Sequence, residues 1–150
     1  MNLKYTDGND PEFISLCDAL DHSLNVAMGG FENRKKFVPF NQAKTMDLVV
    51  ILYKDSTPIA CGAIRRYDQN TAEIKRMFVK EEYRGQHFGK TILEELIHNA
   101  KERGYQSLLL ETGNFLARAV ALYKSTGFVV IPNYPPYENM EESVCMKLNL

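Results

Sequence analysis

Apolar residues recur along the chain at two spacings, one typical of helices and one of strands. Spacing of three to four residues indicates amphipathic helices over residues 11–28, 88–103 and 114–126. Asp10 followed by Pro11 is typical of an N-cap and first helical position, and Gly127 of a helix C-terminus. The pattern therefore predicts three helices with defined ends.

Short β-branched or alternating segments between these helices predict strands. Polar turns separate three consecutive segments, which favours an antiparallel meander. Residues 107–111 are apolar enough to form an interior strand. The predicted strands cover 3–6, 48–53, 59–67, 71–79, 107–111, 128–131 and 143–148.

The order of these elements predicts a mixed α/β (α+β) fold in one domain spanning residues 1–150. Residues 31–45 mix basic, aromatic and proline residues and are assigned a short further helix and a loop. We expect a central, mostly antiparallel twisted sheet of about six or seven strands, flanked by about four helices.

Composition argues against nucleic-acid-binding, membrane-spanning and metal-binding proteins. The net charge of −1 gives no general attraction to nucleic acid or to an anionic membrane. No apolar run approaches the roughly 20 residues of a membrane-spanning helix, and the first residues lack a signal-peptide pattern. The three cysteines form no C-x-x-C pair, so we expect buried thiols in a reducing compartment and no metal site. The expected location is the cytoplasm.

The candidate chemistry lies in residues 79–90, where a strand is followed by a glycine-containing loop and a helix. Unpaired amides and the positive dipole end at a helix start suit a pyrophosphate. Gly85 permits a backbone conformation that other residues rarely adopt. By itself this pattern leaves two interpretations open, an anion site and a solvated helix start.

Three segments together resemble the GNAT acetyltransferase superfamily, whose loop motif is Arg/Gln-x-x-Gly-x-Gly/Ala. They are Glu73-Ile74-Lys75-Arg76-Met77-Phe78-Val79, then Arg84-Gly85 with Gly89, and Leu122-Tyr123-Lys124-Ser125-Thr126-Gly127-Phe128. The resemblance covers about residues 47–148. Glu111-Thr112-Gly113 and residues 133–145 are similar to a bacterial subgroup of mostly unassigned substrate. His87 departs from the pattern, because it stands at the first motif glycine.

The resemblance implies acetyl-CoA as co-substrate and a backbone cradle for its pyrophosphate. It also implies that a stretch of strand lies along the pantetheine arm and that the Val79 N–H polarises the thioester carbonyl. Ordinary core packing is the alternative for that strand. The implied cofactor-binding residues are Met77, Phe78, Val79, Arg84, Gly85, Gln86, His87, Phe88, Gly89 and Lys90.

Two further side chains receive catalytic roles through the resemblance. Tyr123 would protonate the departing thiolate, and Glu73 would remove a proton from the attacking amine. The alternatives are a core tyrosine and a solvated or cross-strand-paired glutamate. Asn114 would either touch CoA or cap its helix, and capping is favoured.

The resulting hypothesis is an N-acetyltransferase in which a primary amine attacks acetyl-CoA directly. The acceptor is a small-molecule or peptide amine, with no nucleic acid and no membrane as partner; a homodimer is left open. The alternative is a regulatory module of the same fold that binds acyl-CoA without turnover. A nucleotide or phosphate enzyme is disfavoured, because the chain lacks the Gly-x-x-x-x-Gly-Lys-Ser/Thr loop.

Overall fold

The computed structural model of the protein describes residues 1–30 and 45–150. Strands and helices follow one another along the chain in the order that the hydrophobic pattern predicts. The elements are β1 (Asn2–Thr6), α1 (Pro11–Ala27), β2 (Leu48–Lys54), β3 (Thr57–Arg66), β4 (Thr71–Val79), a 3₁₀ helix (Glu81–Tyr83), α2 (Phe88–Glu102), β5 (Ser107–Gly113), α3 (Ala117–Thr126), β6 (Val129–Ile131) and β7 (Ser143–Asn149).

The seven strands form one sheet in the order β1-β2-β3-β4-β5-β7-β6. Four neighbouring pairs, β1–β2, β2–β3, β5–β7 and β6–β7, are antiparallel, whereas β4 and β5 are parallel. The predicted fold class and sheet are therefore confirmed. Of the roughly four predicted helices, the described residues contain three. The fourth helix is predicted within residues 31–45, and residues 31–44 lie outside the described part of the chain.

The ends of α1 and α3 follow from local hydrogen bonding. The Asp10 carboxylate accepts the Glu12 N–H at 2.9 Å, and Pro11 opens the helix, so the predicted N-cap is confirmed. Gly127 ends α3 with φ of 110°, as predicted from its position.

The prediction that Asn114 starts and caps the third helix is wrong. Helix α3 starts three residues later, at Ala117, and its N-cap Leu116 makes no side-chain capping bond. The Asn114 N–H donates to the Glu142 carbonyl at 2.8 Å, directly after the pairing of Gly113 with Ser143. Asn114 and Phe115 then form a turn, which the Leu116 N–H closes by donating to the Gly113 carbonyl at 3.0 Å, so the helix starts after this turn.

The described residues pack into two units. The first comprises those up to Arg65 together with Lys75–Leu96, and the second comprises Arg66–Ile74 with Ile97–Leu150. In the first unit, α1 buries its apolar face against β2, β3 and Phe78, through Phe13, Leu16, Cys17 and Leu20. In the second unit, β5 and β7 contribute the buried side chains of Leu108, Leu110, Cys145 and Met146.

Strand β4 contains a residue with a left-handed backbone. Arg76 has φ of 58°, although its neighbours in the strand are extended. Its side chain is only 2% exposed, and its Nη2 donates to the Cys17 carbonyl at 3.1 Å and to Asp21 Oδ1 at 2.8 Å. The guanidinium therefore ties this point of β4 to helix α1.

The three cysteines are buried and free. Burial raises the pKa of Cys145 to about 11, and it also raises the pKa of Cys61. These two thiols are therefore protonated near neutral pH and weakly nucleophilic. None of the helices in the described part of the chain combines the length and the apolar character that a membrane crossing requires.

The capping contact of Asp10 gives a test of this local structure. Asp10→Ala should lower the free energy of unfolding by about 1 kcal/mol, because α1 loses the acceptor of the Glu12 amide. Asp10→Asn is the matched control, since asparagine caps nearly as well. Urea denaturation of the two variants measures the difference, and equal losses would contradict the capping role.

The same residue gives a pH dependence. Burial alone would raise the pKa of Asp10, but hydrogen bonds from Lys4, the Glu12 amide and Thr6 outweigh it and lower that pKa. A lowered folded-state pKa stabilises the protein above the ordinary aspartate pKa, and the contribution is lost as the pH falls below about 4. We therefore expect the stability difference between the parent and Asp10→Asn to shrink below that pH, as measured by urea denaturation at several pH values.

Candidate active site

The segment between β4 and α2 places a turn next to an open helix start. Gly85 and His87 both adopt the left-handed region, with φ of 78° and 67°. The first helical hydrogen bond of α2 runs from the Thr91 N–H to the His87 carbonyl, at 3.1 Å. The amides of residues 88–90 precede that bond, so they have no acceptor within the helix. Three such amides at the positive end of a 15-residue helix suit an anion.

The cationic side chains of this segment make contacts of their own. Arg84 Nε donates to the Val79 carbonyl at 2.9 Å, and its guanidinium lies 5.7 Å from the Phe78 ring centroid. Lys90 Nζ lies 3.8 Å from Glu94 Oε1 in an exposed pair, which is worth little in stability. The Arg84 side chain is therefore bound at the end of β4. Lys90 could leave Glu94 for another anion with little loss of stability.

In residues 1–30 and 45–150, the second half of β4 has an open edge on the side of β5. It pairs with β5 only from Thr71 to Glu73, so within the described chain its later residues have no partner in β5. The Lys80 N–H donates to the Ile59 carbonyl of β3 at 2.9 Å. Because consecutive amides of an extended chain point to opposite sides, the Val79 N–H points away from β3. Val79 therefore presents an amide on the open edge, as required of an oxyanion donor.

The side chains of the preceding two residues are occupied in packing. Phe78 belongs to the core cluster around α1. The Met77 sulfur and the Ile92 side chain of α2 both lie against Gly62. They are so close that a Cβ at position 62 would be 2.6 Å from each of them. Core packing therefore accounts for both side chains. Any contact of Met77 and Phe78 with a ligand would then be made by their backbone groups.

Tyr123 lies in the second unit, on α3, with 6% of its surface exposed. Its ring packs edge-on against Phe128 at 5.9 Å between centroids. Burial and the negative charge of Glu111 raise the pKa of Tyr123, so the phenol stays protonated at neutral pH. Within the part of the chain that the structure describes, its hydroxyl makes no hydrogen bond. A core role and a role as proton donor are both compatible with this environment.

Glu73 lies in the same unit, at the last position where β4 pairs with β5. It is 1% exposed, which excludes the solvated-charge alternative. Its Oε2 accepts a hydrogen bond of 2.7 Å from the hydroxyl of Tyr134, which is also buried. Burial, followed by the charge of Glu73, raises the pKa of Tyr134, so the tyrosine is the donor in this pair.

The structure shows two polar contacts in the second unit that the sequence does not predict. One is the Tyr134 bond to Glu73; the other joins the Ser143 hydroxyl to Glu111 Oε2 at 2.5 Å. The available signal was the likeness of residues 111–113 and 133–145 to a bacterial subgroup, which indicates no role for single residues. The contacts link positions 61 and 32 residues apart, which no local pattern reveals.

The remaining sequence-based assignments concern Asn114 and metals. Asn114 is exposed at the end of β5, and its contact with CoA stays a prediction. No cluster of three or more His, Cys, Asp or Glu side chains that could hold a metal ion occurs in residues 1–30 and 45–150.

Several known proteins are similar to this chain in sequence. The chain is 41% identical over 78 residues to an uncharacterized N-acetyltransferase of Dictyostelium discoideum, a match covering 52% of this chain and 36% of that protein. It is 36% identical over 89 residues to the IAA acetyltransferase of Azospirillum brasilense, covering 59% of this chain and 58% of the relative. The chain thus spans between about a third and three fifths of these relatives.

Solved structures resemble it over nearly their whole length. A candidate acyl-CoA N-acyltransferase of Klebsiella pneumoniae superposes with a TM-score of 0.81 at 27% identity, covering 99% of this chain and 97% of that one. A GNAT family acetyltransferase of Elizabethkingia anophelis with acetyl-CoA bound has the same fold, with a TM-score of 0.68 at 22% identity and coverage of 99% and 97%.

The model of the acetyltransferase (GNAT) family matches residues 17–128. This range includes the β4 edge, the loop with left-handed Gly85 and His87, the start of α2, and Tyr123 on α3. The matched segment covers well over half of the 150 residues. The chain therefore belongs to the GNAT family of acetyltransferases.

Proposed function

We propose that this chain transfers the acetyl group of acetyl-CoA to a primary amine, by direct attack of the neutral amine on the thioester. The observation that carries the proposal is the edge of β4, which has no β5 partner after Glu73 in the described residues, followed by a left-handed loop and a helix start whose first amides have no acceptor within the helix. This order matches that of CoA itself, in which the thioester and the pantetheine amides precede the pyrophosphate. Membership of the GNAT family supports the same ligand.

The backbone of the first unit supplies the binding groups in this proposal. Amides on the open edge of β4 pair with pantetheine as a neighbouring strand would. The Val79 N–H stabilises the negative charge that develops on the thioester oxygen. The amides of residues 88–90 hold the pyrophosphate, and Lys90 in the first turn of α2 is a cation that can exchange its exposed partner Glu94 for a phosphate.

Two side chains supply the proton transfers. An acceptor ammonium with a pKa near 10.4 is about a thousandth deprotonated at pH 7, so a base raises the concentration of the reactive amine. Glu73 is that base, directly or through water, and Tyr123 protonates the thiolate. Both transfers together contribute about 10²–10⁴-fold, with orientation of the reactants supplying most of the rest.

The acceptor is a small-molecule or peptide amine in this proposal, and the protein acts as a soluble cytoplasmic enzyme. Calorimetry with acetyl-CoA, followed by a thiol-release assay against a panel of amines, tests it. Micromolar binding with amine-dependent release of CoA supports the proposal. Binding without turnover would favour the regulatory module, and absence of binding would overturn both.

A charge introduced at the helix start tests the pyrophosphate site. Gly89→Asp should weaken acetyl-CoA binding by at least ~10-fold, because a carboxylate beside a pyrophosphate adds like-charge repulsion. Gly89→Ala is the matched control, which adds bulk without charge and should weaken binding less. Calorimetric affinities that are equal in the parent and Gly89→Asp would remove the site.

The left-handed backbone of His87 gives a second test. His87→Gly should preserve or improve acetyl-CoA affinity, since a left-handed residue with a side chain is strained by roughly 1 kcal/mol and glycine is not. His87→Ala keeps the strain without the imidazole and is the matched control. If both variants lose affinity to the same large extent in calorimetry, the imidazole itself contacts the ligand and this account of the loop is wrong.

Removing one hydroxyl tests the role of Tyr123. Tyr123→Phe should bind acetyl-CoA with nearly parental affinity and keep its stability, while its rate falls by about 10–10³-fold. Tyr105→Phe is the matched control, because Tyr105 is another buried tyrosine of the second unit and has no proposed role. A Tyr123→Phe rate within twofold of the parent, with chemistry rate-limiting, would leave Tyr123 as a core residue.

A further inference from the structure

The carboxylate of Glu73 accepts a hydrogen bond from a tyrosine in a distant part of the chain. The Tyr134 hydroxyl donates to Glu73 Oε2 at 2.7 Å, and the two residues are 8% and 1% exposed. A hydrogen bond to a charged acceptor in such a position is stronger than one between neutral groups. Moreover, a buried carboxylate is costly unless it is hydrogen-bonded.

Tyr134 is itself fixed by its surroundings. Its ring packs edge-on against Tyr67 and Tyr137, with centroids 5.3 and 5.5 Å apart. The Tyr67 hydroxyl donates to the Pro135 carbonyl at 3.3 Å, next along the chain. These contacts leave the hydroxyl of Tyr134 little freedom to turn away from Glu73.

The side-chain amide of Asn133 links several carbonyls of the loop that carries Tyr134. Asn133 Nδ2 lies 3.2 to 3.3 Å from the carbonyls of Tyr137, Met140 and Ser143. The Tyr137 N–H also donates to the Tyr134 carbonyl at 2.7 Å, closing a turn. The loop between β6 and β7 is therefore built around the residue that contacts Glu73.

We propose that Tyr134 is a positioning residue for Glu73: the Tyr134 hydroxyl holds the carboxylate in the orientation from which it takes up a proton. The proposal rests on the proposed function, because it takes Glu73 as the base. A hydrogen bond to one oxygen of a carboxylate restricts its rotation and so sets the direction in which it accepts a proton from the ammonium. The proton passes from the acceptor nitrogen to Glu73, while the Tyr134 proton stays on its own oxygen.

A direct test follows the Glu73 carboxyl by carbon-13 NMR in glutamate-labelled protein, assigned by the signal missing from Glu73→Gln. In Tyr134→Phe, which keeps the ring contacts, the chemical shift of this carboxyl at pH 7 should change, because the carboxylate loses a hydrogen-bond donor. Tyr67→Phe is the matched control and should leave the signal in place. An unchanged Glu73 signal in Tyr134→Phe would overturn the proposal.

Steady-state kinetics link this bond to turnover, with one amine used throughout. In Tyr134→Phe kcat should fall by about tenfold while the KM for acetyl-CoA stays within about twofold, because the base is present but less well oriented. If Glu73→Gln loses kcat but Tyr134→Phe keeps the parental value, Tyr134 does not position the base. If Glu73→Gln keeps the parental kcat, the base assignment fails, and the NMR signal still reports separately whether the hydrogen bond exists.

Discussion

The backbone of β4 at Arg76 is the constraint on which much of the first unit depends. A left-handed non-glycine residue costs roughly 1–2 kcal/mol, so it persists only when its surroundings fix it. Here the buried guanidinium is hydrogen-bonded to the Cys17 carbonyl and to Asp21, both on α1. Strand β4 stops pairing with β5 at Glu73, three positions earlier, and continues alongside β3 to Val79. The anchor on α1 thus fixes the strand whose free edge carries the proposed oxyanion donor.

Strand β4 also carries three charged side chains into the interior, Glu73, Lys75 and Arg76. Burying a charge is expensive unless a partner compensates for it, so each of these residues constrains another part of the chain. Arg76 takes its partners from α1 in the first unit, and Glu73 takes Tyr134 from the β6–β7 loop in the second. Loss of either partner would remove a hydrogen bond from a buried charged group, which is why these contacts affect both the fold and the proposed chemistry.

Hydrophobic spacing predicted the helices and strands well, because burial of one face determines where they form. It placed α1, with the Asp10 cap, and the interior strand β5 correctly. It failed at Asn114, where a residue that favours helix caps is bound instead into the β5–β7 ladder. The left-handed Arg76 and the Tyr134–Glu73 bond were also not foreseen. Both depend on contacts between residues 55 to 61 positions apart, and no local pattern specifies them.

In the proposed site, CoA binding and proton transfer depend on different features of the sequence. Binding of CoA is assigned to backbone amides, whose direction is set by dihedral angles. A histidine can therefore stand at a glycine position, provided that it accepts φ of 67°. Proton transfer is assigned to the side chains of Glu73 and Tyr123, which backbone geometry cannot replace. Substitutions that preserve the backbone should accordingly be tolerated in the loop before α2, whereas around Glu73 even the loss of one hydroxyl removes a hydrogen bond from the proposed base.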